Sequence, residues 1–264
     1  MTGLRRWSAL GLLLGSLGAL VVHAPARWMA AGLESLTGSR ILLAEPAGTV
    51  WNGSAQLVLT GGPQSIDRAA LDHRLSWRWG PGLKVQFSHP SALARPLTVA
   101  VRPTWQGVGV SVEPHAGSAA AELQLPASWL IGLGTPWNTL QPAGQLALKA
   151  QRLSLEWSPG QAGRVEAMVA LELRQLSSRV STLPVLGHYE VLIQTPQGQA
   201  TGVRLTLSSR SDSALQLHGL GRWQPGQRVE FHGEAHAAKG HEAALANLLN
   251  IIGRRDGARS VITL

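Results

Sequence analysis

A chain of 264 residues, 44% of them hydrophobic, can build one large domain or two small ones around a real core. It contains no cysteine, which excludes disulfides, thiolate metal sites and cysteine nucleophiles. Lys and Arg number 23 against 15 Asp and Glu, a net +8, yet residues such as Arg74, Arg78, Lys84, Arg95 and Arg102 stand singly and form no block. That spacing does not predict a nucleic-acid partner; anionic lipid headgroups or an acidic protein fit it better, with a solubilising surface as the plain alternative.

The first predicted element is an N-terminal membrane helix. Arg5 and Arg6 precede an unbroken run, Trp7 to Val22, whose apolar body is Leu12, Leu13, Leu14, Leu17, Leu20, Val21 and Val22. Positive charge before such a run predicts a short cytoplasmic N-terminus and an exported remainder. The run is slightly shorter than the roughly 20 residues a span prefers, so a cleavable signal peptide competes with an anchor. Pro25 between Ala24 and Ala26 makes a poor cleavage site, and Trp7 and Trp28 suit interfacial anchoring, which favours retention. The expected division is an anchor over 1–26 and an exported β-rich domain over 27–264.

Residues 27–45 read as a connector with one or two amphipathic turns built on Trp28, Met29, Leu33, Leu36 and Ile41. From Pro46 onward, period-2 alternation predicts antiparallel strands with one wet face. The faces are Leu57 and Leu59; Leu153, Leu155 and Trp157; Val165 through Leu173; Val203, Leu205 and Leu207; and Val229 with Phe231. Turn signals at 61–63, 80–82, 158–160, 196–198 and 224–226 punctuate these runs as hairpins. The fold class is therefore mainly β: a large curved or rolled antiparallel sheet of about a dozen strands, with one or two short helices. The segments beginning at Gly48, Gly144 and Gly219 resemble one another weakly, as repeated hairpins.

A short helix is expected at 126–133 and a better one at 241–252, where Leu245, Leu248, Leu249 and Ile252 share a side. Gly253 takes the position of a C-cap glycine, with Arg254 and Arg255 beside the negative end of the helix dipole. A final strand runs over 259–264. If the chain has two lobes, the break falls near 126–142, where Gly132, Gly134, Pro136 and Pro142 interrupt the β pattern.

No catalytic constellation emerges. The nine histidines are dispersed; His232 and His236 lie four apart on a strand, which separates them. Asp72-His73-Arg74 lacks the nucleophile elbow of a triad, and Gly107-Val-Gly109 lacks the third glycine and the helix of a dinucleotide site. Glu113-Pro-His115 stands alone. Ten tryptophans against two phenylalanines and one tyrosine suit core and sheet-face packing better than sugar readout. A secreted hydrolase or glycan binder would need carboxylates brought together from distant strands. No enzyme, cofactor or metal is expected.

The chain resembles the type II secretion system protein N (GspN) family. The resemblance rests on the apolar run Trp7–Val22; on Ala47-Gly-Thr-Val-Trp-Asn-Gly-Ser-Ala-Gln-Leu (47–57), similar to the family's Gly-x-Val/Leu-Trp-x-Gly element; on Arg74-Leu-Ser-Trp-Arg-Trp (74–79); on Gly187-His-Tyr-Glu-Val-Leu (187–192); and on Leu248 to Gly257. It covers nearly the whole chain, although 84–125 contains no matching element. It implies a non-catalytic, single-pass inner-membrane component with a periplasmic β-rich domain that touches inner-membrane subunits of the apparatus. The motif positions Gly48, Val50, Trp51, Gly53, Trp77, Gly187, Tyr189 and Gly253 are read as structural. Gly48 and Gly53 admit a tight backbone at strand entry, and Trp51 is expected over the sheet face. The alternative function is that of an AsmA-like envelope protein, sheltering lipid in an apolar groove.

Overall fold

The computed structural model describes residues 2–114, 117–160, 163–196 and 201–263, with side chains from Gly11 onward. The Trp7 side chain, His115, most of the 196–198 turn and Leu264 lie outside the described residues.

Two helices open the chain, α1 (Thr2–Val22) and α2 (Ala26–Leu36). Leu12, Leu13, Leu14, Leu17, Leu20, Val21 and Val22 of α1 are all exposed. Among the described residues, no helix is long and apolar enough to cross a membrane. Among the described residues, fifteen strands follow in one antiparallel sheet. They are β1 (Ile41–Gly48), β2 (Asn52–Thr60), β3 (Arg68–Gly80), β4 (Lys84–Ser88), β5 (Leu97–Thr104), β6 (Gly107–Glu113), β7 (Ala121–Pro126), β8 (Pro142–Trp157), β9 (Arg164–Ser178), β10 (Gly187–Gln194), β11 (Val203–Ser209), β12 (Leu215–Trp223), β13 (Glu230–Ala237), β14 (Arg254–Asp256) and β15 (Arg259–Thr263).

The sheet is a meander. Strands pair in chain order from β1 to β6, then β8 to β13, then β15 and β14. β8 is long enough to take two neighbours on one side: its first half pairs with β7 and its second with β6. A bulge between Ala150 and Arg152 separates the halves. Such an extra residue bends and twists a strand locally. The sheet is open, since β1 and β14 end the path without meeting.

The connector reading of 27–45 holds only in part: the amphipathic turns on Met29 and Leu33 are there, within a longer helix, but its end is strand. Helix α2 occupies its first part, and β1 begins at Ile41, ahead of Pro46. The run Ile41-Leu-Leu-Ala does not alternate, so its strand character was hidden. Leu43 is buried together with Ala26, Ala55, Trp77 and Val85, and Met29 and Leu33 of α2 pack on them.

The 126–142 stretch holds a 3₁₀ segment, Ala127–Leu133, and α3 (Trp137–Leu140). It packs against β2, β3 and β8 together. A Cβ on Gly132 would stand 2.3 Å from the Leu59 oxygen, and Asn138 Nδ2 donates to Asp67 Oδ2 at 2.9 Å. The stretch thus brackets the first strands to β8.

The last helix, α4 (Glu242–Ile252), buries Leu245, Leu248 and Leu249 against Tyr189, Leu215 and Ala235 of the sheet. Gly253 does not cap it in the expected way. Its φ of −169° is extended backbone, and what it supplies is room: a Cβ there would lie 2.5 Å from the Val261 oxygen. Arg254 and Arg255 belong to the edge strand β14 rather than to the helix end.

Candidate functional site

The Gly48–Gly53 element forms the joint between the N-terminal helices and the sheet. Thr49 to Asn52 make the β1–β2 turn: Thr49 N–H donates to the Asn52 oxygen at 2.9 Å, and Asn52 N–H donates to Thr49 Oγ1 at 3.1 Å. Gly48 enters the turn at φ +84°, and a Cβ there would fall 2.5 Å from the Asn52 oxygen. A side chain would meet both backbone strain and a clash, so only glycine fits. Gly53 has a different reason. Its absent Cβ leaves space for the Ala47 oxygen and the Trp77 ring, each 2.6 Å from where that atom would be.

Trp77 fills that space. It is 1% exposed, and its Nε1 donates to the carbonyls of Thr49 at 3.2 Å and Val50 at 3.0 Å. One buried indole therefore satisfies two turn carbonyls that would otherwise lack a donor. Val50 contributes through its backbone, its N–H donating to the Ala24 oxygen at 2.8 Å. Pro25 and Thr49 form an isolated antiparallel bridge beside it.

Trp51 reaches the other way. It was expected over the sheet face, but its Nε1 donates to the Val21 oxygen at 2.7 Å, closing the end of α1. The last four carbonyls of a helix have no partner within it, so a side-chain donor here both caps α1 and fixes its direction. The Trp51 ring meets Trp79 edge-on at a centroid distance of 5.6 Å. The Trp51 carbonyl accepts from the Trp79 N–H at 2.8 Å.

The structure thus brings Gly48, Val50, Trp51, Gly53 and Trp77 into one place. Trp79 was missed, although its spacing from Trp77 puts both on one face of β3. Apart from the Thr49 hydroxyl, which accepts from Asn52 N–H, the residues named at the joint carry no acid, base or nucleophile. What it can do is hold a helix at a set angle to a sheet.

The remaining motif residues lie at the far end, under α4. Gly187 has φ +150°, and a Cβ there would lie 2.3 Å from the Ser213 side chain. Ser213 Oγ in turn accepts from His188 N–H at 3.1 Å. Tyr189, two residues on, is buried and donates its hydroxyl to the Leu215 oxygen at 3.0 Å. Burial pushes its phenol well above the ordinary tyrosine range.

The histidines near these motifs are local fastenings. His89 is buried and accepts from Ala92 N–H through Nδ1 at 3.0 Å, which leaves Nε2 to donate to the His73 oxygen at 2.9 Å. His218 and His236 stack on neighbouring strands at 6.5 Å. An open cleft of about 540 Å³ lies between α4 and β14, lined by His236, Glu242, Asp256 and Arg259. Arg259 there is committed to Glu234 and Asp256, each at 3.2 Å. No group of three or more His, Asp or Glu among the described residues is placed to hold a metal.

A family model described as "Type II secretion system (T2SS), protein N" matches residues 39–262. No curated protein and no solved structure matches the chain.

Proposed function

The chain belongs to the type II secretion system protein N family, and from that premise we propose a non-catalytic accessory component, held in the inner membrane by α1, with its sheet in the periplasm. The observation that carries the proposal is the joint at Val21–Trp51–Trp77. A tryptophan bonded to the Val21 carbonyl at the end of an exposed apolar helix makes sense if that helix is a fixture whose angle to the sheet matters. Arg5 and Arg6 ahead of the apolar run favour a cytoplasmic start and an exported sheet.

The sheet would act by contact with inner-membrane subunits of the apparatus. Exposed faces and unpaired strand edges are the surfaces such contact uses. Cross-linking in membranes that contain the whole apparatus should recover inner-membrane subunits; recovery of none at good expression counts against the proposal. Topology has its own test, because the chain has no cysteine. Ile66→Cys, on an exposed loop, should react with a membrane-impermeant maleimide in intact spheroplasts and not in inverted vesicles.

One observation favours the second reading, an AsmA-like shelter for lipid. Val108 and Val110 on β6 stand opposite Trp157 and Leu155 on β8, and all four are more than a third exposed. This strip lies between the core under α2 and the core under α4. Native mass spectrometry of the protein extracted in mild detergent should then show bound phospholipid, and a lipid-free spectrum rules the reading out.

A further inference from the structure

The strands of a meander alternate in direction, so every second turn falls on the same rim. The rim that carries Trp51 also carries the turns near 81–83, 105–106, 158–160 and 224–229. Contacts link them along it. Val101 N–H donates to the Leu83 oxygen at 3.0 Å. A Cβ on Gly107 would lie 1.8 Å from the Trp157 oxygen, and one on Gly163 would lie 3.3 Å from Pro225 Cβ.

Two properties of this rim bear on what it meets; the opposite rim also has exposed apolar and arginine side chains, among them Ile66 and Arg68, but no exposed tryptophan among the described residues. The first is exposed apolar surface at its turns: Trp105 is fully exposed at a hairpin tip, and Trp157, Leu83 and Val229 are 58%, 44% and 42% exposed. Tryptophan in such a setting suits a boundary with one apolar and one wet side. The second is uncompensated positive charge. Arg78, Arg102, Arg204 and Arg228 stand within a few residues of the turns, are exposed, and make no ion pair among the described residues. Of the nearby acids, Glu156 and Glu230 are taken by Arg164 and Arg222. Glu166 lies one pleat further in.

We infer that this rim is a docking surface for an anionic bilayer, with Trp105 and Trp157 at headgroup depth and the arginines above them on lipid phosphates. The inference rests on the anchoring proposed above, because α1 ends at this rim, on Trp51. The sheet would then lean on the membrane by one edge rather than stand clear of it.

Site-directed nitroxide labelling of the full chain tests this, since the absence of cysteine makes each introduced one unique. Labels at Gln106→Cys and Gln227→Cys report the rim, Gln64→Cys on the opposite rim is the aqueous control, and Leu14→Cys reports α1. In vesicles containing phosphatidylglycerol, the oxygen-to-nickel collision ratio at 106 and 227 should be several-fold above that at 64. Pure phosphatidylcholine should abolish the difference. So should replacing Arg78, Arg102, Arg204 and Arg228 by Gln. Trp105→Ala, a change at a fully exposed side chain that folding does not need, should return the 106 label to water. If labels at 106 and 227 are as aqueous as at 64, the docking rim is wrong; lipid contact at 14 in that same experiment leaves the anchor standing. Equal immersion in neutral vesicles would overturn the anionic preference.

Discussion

Two tryptophans two residues apart on β3 have opposite polar status. Trp77 Nε1 has two carbonyl partners, whereas Trp79 Nε1 is buried with none. Replacing Trp77 by Phe leaves the Thr49 and Val50 oxygens without their donor and opens a small void, an expected loss of about 1–3 kcal/mol. Trp79→Phe removes a buried donor that has no partner, so its cost should be clearly the smaller of the two. Denaturant unfolding of both variants checks the order; equal losses would mean that the indole N–H of Trp77 contributes nothing. In the sequence, Arg74-Leu-Ser-Trp-Arg-Trp carried only the family resemblance, with Trp77 as a structural position; the strand that puts both rings on one face is seen in the structure. Which N–H finds a carbonyl was not legible, because the acceptors come from a turn more than 25 residues earlier.

Tyr189 offers a cleaner test, because it is the only tyrosine in the chain. Its phenol is raised by burial, whereas an unfolded tyrosine ionises near pH 10. Above that pH the unfolded state releases a proton that the folded state retains. The group therefore costs nothing at neutral pH and lowers stability as pH rises past about 10. Absorbance near 295 nm should show no phenolate in the folded protein at pH 10.5 and its appearance only with unfolding. A smooth titration centred near pH 10 without loss of structure would mean that the ring is not buried as described.

At the scale of elements, α4 depends on one distant hydroxyl. Ser260, fully buried on β15, donates to the Leu249 oxygen at 2.7 Å and so satisfies a carbonyl in the last turn of the helix. Ser260→Ala leaves that carbonyl buried and unpaired, with an expected loss of about 1–3 kcal/mol. Amides of α4 should exchange faster in the variant while those of β8 and β9 stay protected. Uniform acceleration across the sheet would show that α4 and the sheet unfold as one unit. The sequence carried the helix through its apolar spacing, with Leu245, Leu248, Leu249 and Ile252 on one side. It misled at Gly253, because a glycine after a helix resembles a left-handed cap, and a close approach by a later strand leaves no local trace. The same limit hid β1 and left α2 legible only as a turn or two. A helix lying on a strand removes the polar positions that make alternation visible.

For the whole molecule, strand order followed chain order because most turns are short and the connections local. The exceptions are the places where a segment returns: β7 joining the first half of β8, and β15 inserting between β13 and β14. Short turns do not set the angle between the sheet and the helix that precedes it. That angle depends on a handful of bonds around Trp51, and it is where the molecule would fail as a fixture without failing as a fold. Trp51→Phe keeps most of the ring contact with Trp79 but loses the bond to Val21, a local change of about 1 kcal/mol. The Ala24–Val50 and Trp77 bonds should survive, so the unfolding midpoint of the sheet should hardly move. Amides around 22–26 should exchange several-fold faster, and a protease should cut there more readily. If the variant instead unfolds at markedly lower denaturant, the Trp51 bond supports the sheet itself. If neither exchange nor proteolysis changes, the helix is held by α2 alone. Only the combination of an unchanged sheet and a loosened 22–26 segment marks Trp51 as the residue that couples α1 to everything after it.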